Sequence, residues 1–265
     1  RFFNAGGRTP YEDILFYTEV GRQASLAVTH AFLNVTFDDV FIFQRSRAAM
    51  TPRIWNPALA READSVVIEI KVRETVRRKN TVARVIAEHF MYVGDQHVFQ
   101  GTGTWTMQPA ALFKRLRRAT AESALQVDGA DLLRRYPSNV VISALESAQD
   151  NTAITASLFV NTAHPYFFDH PCDHVPGMLL LEACAQLSFG ACAQAGRAPS
   201  PRMALMAYDM DFTQFVDCHV PTTLSARVLT DEASGSPAMA PAIDIVVSQR
   251  GAVAGIARMR IGFPA

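Results

Sequence analysis

The hydrophobic positions of this chain form two similar series, each with a helix pattern followed by strand patterns. Residues 18–25 and 181–188 are apolar on nearly every side, which predicts buried helices. β-Branched and alternating runs follow each helix and predict antiparallel strands. In the first series these runs are residues 40–43, 65–76, 81–93 and 97–107, and in the second residues 203–215, 223–230, 242–249 and 252–263.

The two helix patterns also share polar positions, which indicates a weak internal repeat. Glu, Gln and Ser occur in both at a constant offset of 163 residues, as Glu19 and Glu182 illustrate. Residues 108–138 are rich in Ala, Arg and Leu and predict a linker with helical pieces such as residues 130–136. We therefore predict a first repeat at 1–107, the linker at 108–138 and a second repeat at 139–265.

The second series opens with two further strand candidates, residues 140–145 and 153–161. The first series has no counterpart to them, so we expect a strand to be missing at the N-terminus. A long buried helix wrapped by an antiparallel sheet, present twice, is the tandem hotdog architecture of the α+β class. Two such halves pair side by side and hide their edge strands. The sequence leaves open whether the two halves suffice alone or pair again into a homodimer.

Composition narrows the choice of partners. Hydrophobic residues make up 49% of the chain and charged residues 19%, with 25 basic and 25 acidic side chains. A neutral chain argues against nucleic-acid binding, and the basic run 114–118 is expected to be a solvated linker face. No apolar run of membrane-spanning length and no signal peptide is visible, and the four cysteines form no CxxC pair. We therefore predict a cytoplasmic protein with reduced thiols that binds no membrane.

Candidate catalytic residues are concentrated in residues 164–186, where three histidines and two aspartates precede an apolar helix. That helix carries Glu182 in its interior, and burying a carboxylate costs several kcal/mol unless a partner satisfies it. Titratable groups in apolar surroundings are typical of functional sites, although a purely structural polar network is the alternative. A zinc site built from Cys172, His170 and His174 is a further alternative, but the spacing is too tight to resemble structural zinc motifs.

This segment resembles two known families. FFDH at 167–170, followed by PG at 176–177 and EACAQ at 182–186, is similar to the 3-hydroxyacyl-carrier-protein dehydratases. The string HPxxFDHPxDHVPGMxLLEA at 164–183 resembles more closely the A-factor biosynthesis hotdog family, the γ-butyrolactone autoregulator synthases. Residues 11–24, with ExxRQ at 19–23, and the strand at 211–217 also resemble that family, so the resemblance covers most of the chain.

The resemblance implies an acyltransferase. Members of the family condense a β-ketoacyl thioester, carried by acyl carrier protein or coenzyme A, with dihydroxyacetone phosphate, and the ester leads to a signalling lactone. Such a reaction needs no metal and no redox cofactor. One departure bears on the acceptor: the family's second helix usually has EAxRQ, whereas this chain has Ala185 at the arginine position. Arg22 would then supply the guanidinium that holds a phosphate.

Roles follow for nine residues. The dehydratase resemblance places His170 on the catalytic histidine and Glu182 on the catalytic acid. Pro176 opens the helix, so the amides of Gly177 and Met178 are expected to bind the thioester oxyanion. Further candidates are Glu19 as a catalytic residue on the paired helix, and the substrate-binding set Arg22, Gln186, Asp173 and His174.

Structural interpretations of the same residues remain open. Asp169 and Asp173 are typical of turns, His164 of a turn or cap, and His174 of a packing residue. In this interpretation Arg22 is the i,i+3 partner of Glu19, and Gln23 and Gln186 tie helix to sheet. The alternative functions are a hotdog dehydratase or thioesterase, which would release an enoyl thioester or a free acid, and a non-catalytic acyl-binding protein.

Overall fold

The computed structural model describes residues 13–56, 59, 65–79, 81–109, 137–147, 153–170, 172–196, 203–229 and 239–262. The first helix, α1, is Ile14–Leu33 and the second, α2, is Gly177–Gln194. The strands are β1 Asp39–Met50, β2 Val66–Arg78, β3 Thr81–Val93, β4 Gln96–Pro109, β5 Glu146–Ser147, β6 Ile154–Ser157, β7 Ala204–Phe212, β8 Thr222–Val228, β9 Met239–Gln249 and β10 Ala252–Gly262. Short 3₁₀ turns occupy Pro52–Trp55 and Pro137–Asn139.

All ten strands form one antiparallel sheet in the order β2-β3-β4-β1-β7-β10-β9-β8-β6-β5. Strands β1 to β4, which come between α1 and α2 in the first half, form one side of the sheet, and β5 to β10 form the other side. The two sets meet where β1 pairs with β7, from Arg45 opposite Asp211 to Ala49 opposite Ala207. This seam makes the sheet continuous, so neither β1 nor β7 is an exposed edge. The domain boundaries at 107 and 139 stay a prediction.

The two helices differ in burial. In α2 every side chain from Met178 to Cys192 is buried, as the pattern predicts. In α1 only Ile14, Leu15, Tyr17, Gly21, Ser25 and Thr29 are buried. The prediction that both helices are fully buried is therefore wrong for α1, because its charged residues face a cavity and solvent. Within the described residues, neither helix is long and apolar enough to span a membrane.

Local chemistry explains where α1 begins and ends. The side chain of Asp13 accepts a hydrogen bond from the amide of Leu15 at 2.9 Å, which caps the helix N-terminus. The helix ends at Asn34, whose φ of 55° is the left-handed conformation that asparagine tolerates. The helix therefore extends beyond the predicted pattern of residues 18–25 at both ends.

The strand predicted at 140–145 is wrong. Only a single bridge forms there, between Ile142 and Leu158, with backbone hydrogen bonds from Ser143 to Ser157 and from Phe159 to Val141, and the two-residue β5 lies farther along the chain. Pairing goes no further because the amide of Val141 donates to the side chain of Gln186 at 3.0 Å, and the amide of Ser157 donates to the hydroxyl of Ser143 at 2.8 Å. The eight strands predicted after the two helices are confirmed, with ends that shift by a few residues except in β1, which is longer at both ends. The predicted helical piece at 130–136 lies outside the described residues.

Candidate active site

A cavity of about 490 Å³ lies between α1, the first-half strands and the start of α2. Its wall includes the aspartate and histidine residues that precede α2, and apolar side chains such as Leu26, Phe41 and Phe43. A volume of this size suits a small-molecule ligand. We call the part of the wall beside the exposed His170 the mouth of the cavity, and the part that includes the apolar side chains its channel.

The structure brings most of the predicted site residues to this cavity. Its wall includes Glu19 and Arg22 of α1, His170 and His174 of the loop, and Gly177 and Met178 of α2. These residues come from both halves of the sequence repeat, so the structure forms one composite site here. The wall as described omits Glu182, Gln186 and Asp173.

His170 sits at the mouth with its side chain 69% exposed. Its Nδ1 lies 2.6 Å from Oδ1 of Asp169, the preceding residue. When Nδ1–H donates to the carboxylate, Nε2 keeps its lone pair and can accept a proton. Asp169 therefore does more than the predicted turn residue would, because its carboxylate contacts and orients the ring of the candidate base.

Glu19 and Arg22 form a two-pronged ion pair on α1. Nε and Nη2 of Arg22 donate to the two carboxylate oxygens of Glu19, both at 2.7 Å. The ion-pair interpretation of Arg22 is confirmed, and the pair also faces the cavity. Burial acts to lower the pKa of Arg22, but the hydrogen bonds to Glu19 and the charges of Glu19 and Asp169 outweigh it and raise that pKa. The guanidinium is therefore firmly cationic.

Arg47 is a second cation on the cavity wall, and sequence reasoning missed it. Its Nε donates to Asp209 at 2.7 Å across the seam between β1 and β7. Within the described residues, Arg22 and Arg47 are the two basic side chains, histidines aside, that line the cavity. A strand arginine carries no motif, and only the pairing of β1 with β7 brings it here.

Glu182 is sealed inside the second half, with no solvent exposure. Gln186 donates to it at 2.5 Å and also donates to the carbonyl of Asn139 at 2.7 Å. Together with the bond from Val141, this shows that Gln186 ties α2 to the 139–141 segment, which lies outside the strands, and not to the sheet as its structural interpretation predicts. The same interpretation is wrong for Gln23, whose amide donates to Glu19 on its own helix. The catalytic role of Glu182 stays a prediction, and its contacts are those of an anchor.

The charge of Glu182 acts on two nearby side chains, Tyr166, which lines the cavity, and His164. Burial raises the pKa of Tyr166, and the nearby charges of Glu19 and Glu182 raise it further, so its phenol stays neutral. Burial lowers the pKa of His164, and the charge of Glu182 partly offsets this. Nδ1 of His164 accepts hydrogen bonds from the amides of Tyr166 and Phe167 at 3.3 and 3.4 Å. The turn role predicted for His164 is confirmed.

The cavity wall also contains a polar pair, Ser25 and His89, that the sequence did not reveal. Oγ of Ser25 lies 2.7 Å from Nε2 of His89, and both residues line the cavity. Burial lowers the pKa of His89 to about 4, so the imidazole is neutral near pH 7. Sequence reasoning assigned His89 no role, because a single histidine in an alternating strand carries no signal.

A chain of hydroxyls crosses the seam beside these groups. The phenol of Tyr208 lies 2.9 Å from Oγ1 of Thr18 and 2.8 Å from Oγ of Ser46. Burial, opposed by these hydrogen bonds, raises the pKa of Tyr208 to about 12. The three hydroxyls line the cavity and supply neutral hydrogen-bond groups beside its charged mouth.

Comparison with known proteins identifies the relatives of this chain. The family model of the A-factor biosynthesis hotdog domain matches residues 117–263, more than half of the chain. A 2-oxo-3-(phosphooxy)propyl 3-oxoalkanoate synthase of Streptomyces virginiae is 26% identical over 82% of this chain and 71% of its own length. A synthase of the same name from Streptomyces coelicolor is 30% identical over 71% of this chain and 58% of its own length.

Solved structures resemble the fold at much lower identity. The 12:0-ACP thioesterase of Umbellularia californica has a TM-score of 0.57 at 10% identity, covering 94% of this chain and 86% of that protein. The tesB protein of Mycobacterium avium subs paratuberculosis has a TM-score of 0.55 at 11% identity, covering 97% of this chain and 90% of that protein. At such identities the likeness shows the fold alone. With the family match, it confirms the predicted α+β hotdog class.

Proposed function

This chain belongs to the A-factor biosynthesis hotdog family, and from that premise we propose that it transfers a β-ketoacyl group from a thioester to the hydroxyl of dihydroxyacetone phosphate. The names of two relatives describe an ester of this kind, a 2-oxo-3-(phosphooxy)propyl 3-oxoalkanoate. One observation carries the proposal most directly: a single cavity is lined by a histidine paired with an aspartate, by two arginines, by a helix N-terminus and by apolar side chains.

The helix N-terminus supports binding of the thioester carbonyl. Pro176 is the N-cap residue and has no side chain that caps the first amides of α2. Helix geometry leaves the N–H groups of Gly177 and Met178 without intrahelical acceptors, and the helix dipole favours negative charge there. These amides are the donors we assign to the oxyanion of the tetrahedral intermediate. Removing such a donor from other acyl-transfer enzymes costs about 10²–10³ in rate.

The two arginines support recognition of a phosphate. Glu19 uses Nε and Nη2 of Arg22, and the planar guanidinium carries further N–H donors on Nη1. Arg47 of β1, which pairs with Asp209, adds a second positive charge on the cavity wall. These two arginines support an acceptor site that does not depend on position 185, where Ala185 is buried in α2. The cations of the first half would hold the acceptor without an arginine on the second helix.

In this mechanism His170 is the general base. Its Nε2 takes the proton of the acceptor hydroxyl while the oxygen attacks the acyl carbon, and Asp169 stabilises the imidazolium through Nδ1–H. The bond from the acyl carbon to the donor sulfur then breaks, and the departing thiolate takes the proton from His170. We assign the acyl chain to the apolar part of the cavity wall, which includes Leu26, Phe41 and Phe43. The acyl carrier, whether carrier protein or coenzyme A, the homodimer and the cytoplasmic location stay predictions.

The test is mass spectrometry of products from a β-ketoacyl thioester, with and without dihydroxyacetone phosphate. We expect a phosphorylated ester that requires the acceptor, and a fall of at least about 100-fold in its formation rate for His170→Ala. His219→Ala is the matched control, since His219 is exposed and lies outside the described cavity wall. Undiminished turnover by His170→Ala would refute the base assignment. Free acid or enoyl thioester formed without acceptor would replace the proposal with the thioesterase or dehydratase alternative.

A further inference from the structure

Cys172 is a titratable group of the cavity wall that the mechanism above does not use. It lies between the Asp169–His170 and Asp173–His174 pairs and lines the same cavity. Its thiol is partly exposed, whereas the other three cysteines, Cys184, Cys192 and Cys218, are buried. A thiol at the mouth of an acyl-binding cavity is accessible to a thioester carbonyl.

The neighbours of Cys172 form the sequence of groups that activates a thiol. Its Sγ lies 3.4 Å from Nδ1 and 3.8 Å from Nε2 of His174. Oδ1 of Asp173 lies 2.8 Å from Nδ1 of His174. When Nδ1–H donates to Asp173, the nitrogen that keeps a lone pair is Nε2, which lies 3.8 Å from Sγ and has to approach it to remove the thiol proton. Cysteine, histidine and aspartate then stand in the order of nucleophile, base and orienting carboxylate.

Two further features suit this assignment. The His174 ring is only 22% exposed and packs edge-on against Phe215 at 5.0 Å, which limits its rotation. Gly177, the first residue of α2, lines the same cavity, and its helix N-terminus favours a nearby thiolate as well as an oxyanion. His170, by contrast, is 69% exposed and stands apart in its own pair with Asp169.

We propose that Cys172 is the nucleophile that receives the acyl group, so that transfer proceeds through an acyl-cysteine intermediate. This inference rests on the proposed acyl transfer and adds a covalent step to it. It divides the labour between the two aspartate–histidine pairs. Asp173 and His174 serve the capture of the acyl group by Cys172, and Asp169 and His170 serve its delivery to the acceptor.

The two steps balance without any further reactant. In the first, His174 takes the thiol proton, Sγ bonds to the acyl carbon, the bond from that carbon to the donor sulfur breaks, and the departing thiolate takes the proton from His174. In the second, His170 takes the hydroxyl proton of the acceptor, the oxygen bonds to the acyl carbon, and the bond to Sγ breaks. The Cys172 thiolate then regains a proton through His170 or solvent.

The experiment omits the acceptor. Wild-type protein is mixed with a β-ketoacyl-coenzyme A, quenched in acid and analysed by intact and peptide mass spectrometry. We expect one acyl group on the peptide that contains Cys172, and its discharge as ester when dihydroxyacetone phosphate is added. Cys172→Ala should lose the adduct and slow ester formation at least about 100-fold. Cys218→Ala is the matched control and should keep both.

A second variant separates chemistry from packing. His174→Gln keeps a polar side chain of similar size, and we expect the adduct to form slowly and to recover as pH rises, because more of the thiol then ionises without a base. Thermal unfolding of each variant checks that the fold is retained. An adduct on another residue, or ester formation by Cys172→Ala at the wild-type rate, would overturn the proposal.

The outcomes also separate this proposal from the proposed function. If ester forms equally well without Cys172, the function stands and the nucleophile is wrong. If Cys172 is acylated but discharges only to water, the nucleophile stands and the acceptor is wrong. The ligand atoms of Cys172, Asp173 and His174 lie within 4.8 Å of one another, so the reaction is repeated with a chelator. We expect the adduct to persist; its loss on chelation and return with zinc would overturn the proposal, because the three residues would then hold a metal.

Discussion

The helices α1 and α2 carry the same polar pattern in opposite surroundings. Glu19 and Glu182 occupy equivalent positions in the repeat, yet Glu19 faces the cavity with an arginine, whereas Glu182 is fully buried with a glutamine. The residue that decides this difference is Arg22 in α1, which is replaced by Ala185 in α2. A charge that must remain available needs a partner and access to solvent, whereas a buried carboxylate needs fixed hydrogen bonds. Glu19 therefore lies on the cavity wall, whereas Glu182 is held inside the second half.

The serines that end the pattern differ in the same way. Ser25 of α1 pairs with His89 across the channel at 2.7 Å. Ser188 of α2 donates back to the carbonyl of Cys184 on its own helix, also at 2.7 Å. The first arrangement links a helix to the sheet through a cavity wall, and the second needs no outside partner. The contrast teaches that an internal repeat preserves residue types more readily than it preserves their roles.

Replacing Glu182 by alanine should lower the free energy of unfolding much more than replacing Glu19 does, and this is the largest expected difference between the two helices. We expect Glu182→Ala to lower the free energy of unfolding by about 3 kcal/mol, because it opens a buried space and removes the acceptor of the Gln186 amide. Glu19→Ala should cost less than about 1 kcal/mol, since its pair is partly exposed. Urea denaturation of both variants measures the difference. Equal costs would contradict the distinction between anchor and site.

Because His89 is buried in its neutral form, the free energy of unfolding should fall in acid. Its pKa is about 4 in the folded protein against 6.5 unperturbed, so between these values the unfolded chain binds the extra proton. The free energy of unfolding should fall by roughly 3 kcal/mol from this group as the pH drops from about 6.5 to 4. His89→Gln should flatten that part of the pH profile and His219→Gln should not. An unchanged profile for His89→Gln would contradict the burial of a neutral imidazole.

Removing Arg22 should affect activity far more than stability. We expect Arg22→Ala to raise the KM for dihydroxyacetone phosphate about 10- to 100-fold, because a charge-assisted phosphate contact is worth roughly 1.5–3 kcal/mol. The matched control is Arg258→Ala, which breaks a similar two-pronged pair with Asp244 at the surface. Arg22→Lys should recover part of the loss. If the KM for the acceptor is unchanged, the phosphate assignment to Arg22 is wrong.

The seam between the two sets of strands should give the smallest effect. Burial acts to raise the pKa of Asp209, but its hydrogen bonds from Arg45 and Arg47 outweigh this and lower that pKa. The stability that the carboxylate of Asp209 gives the folded protein is thus present at neutral pH and is lost as the pH falls through the lowered pKa. We expect Asp209→Asn to cost less than about 1 kcal/mol, and less still at high salt. Asp244→Asn, on a strand pair within one half, is the control, and salt-independent losses would contradict an electrostatic seam.

Much of the fold was predictable because it depends on local pattern. Two apolar helices and eight strands followed from hydrophobic periodicity, and only their ends shifted by packing. The strand predicted at residues 140–145 failed because a side chain, Gln186, takes the backbone bond that a strand would need. A sequence pattern gives no sign of such a long-range competitor.

The sequence by itself determined the fold class, the family motif and the cluster at 164–177, since these depend on residue types that are close along the chain. Tertiary structure alone decided which residues share the cavity. Pairing of β1 with β7 brought Arg47 and Tyr208 to it, and the placement of β3 under α1 brought His89 to Ser25. It also decided that Glu182 is sealed while Glu19 is accessible. The physical reason is that desolvation and charge pairing depend on neighbours that are distant in sequence, whereas periodicity does not.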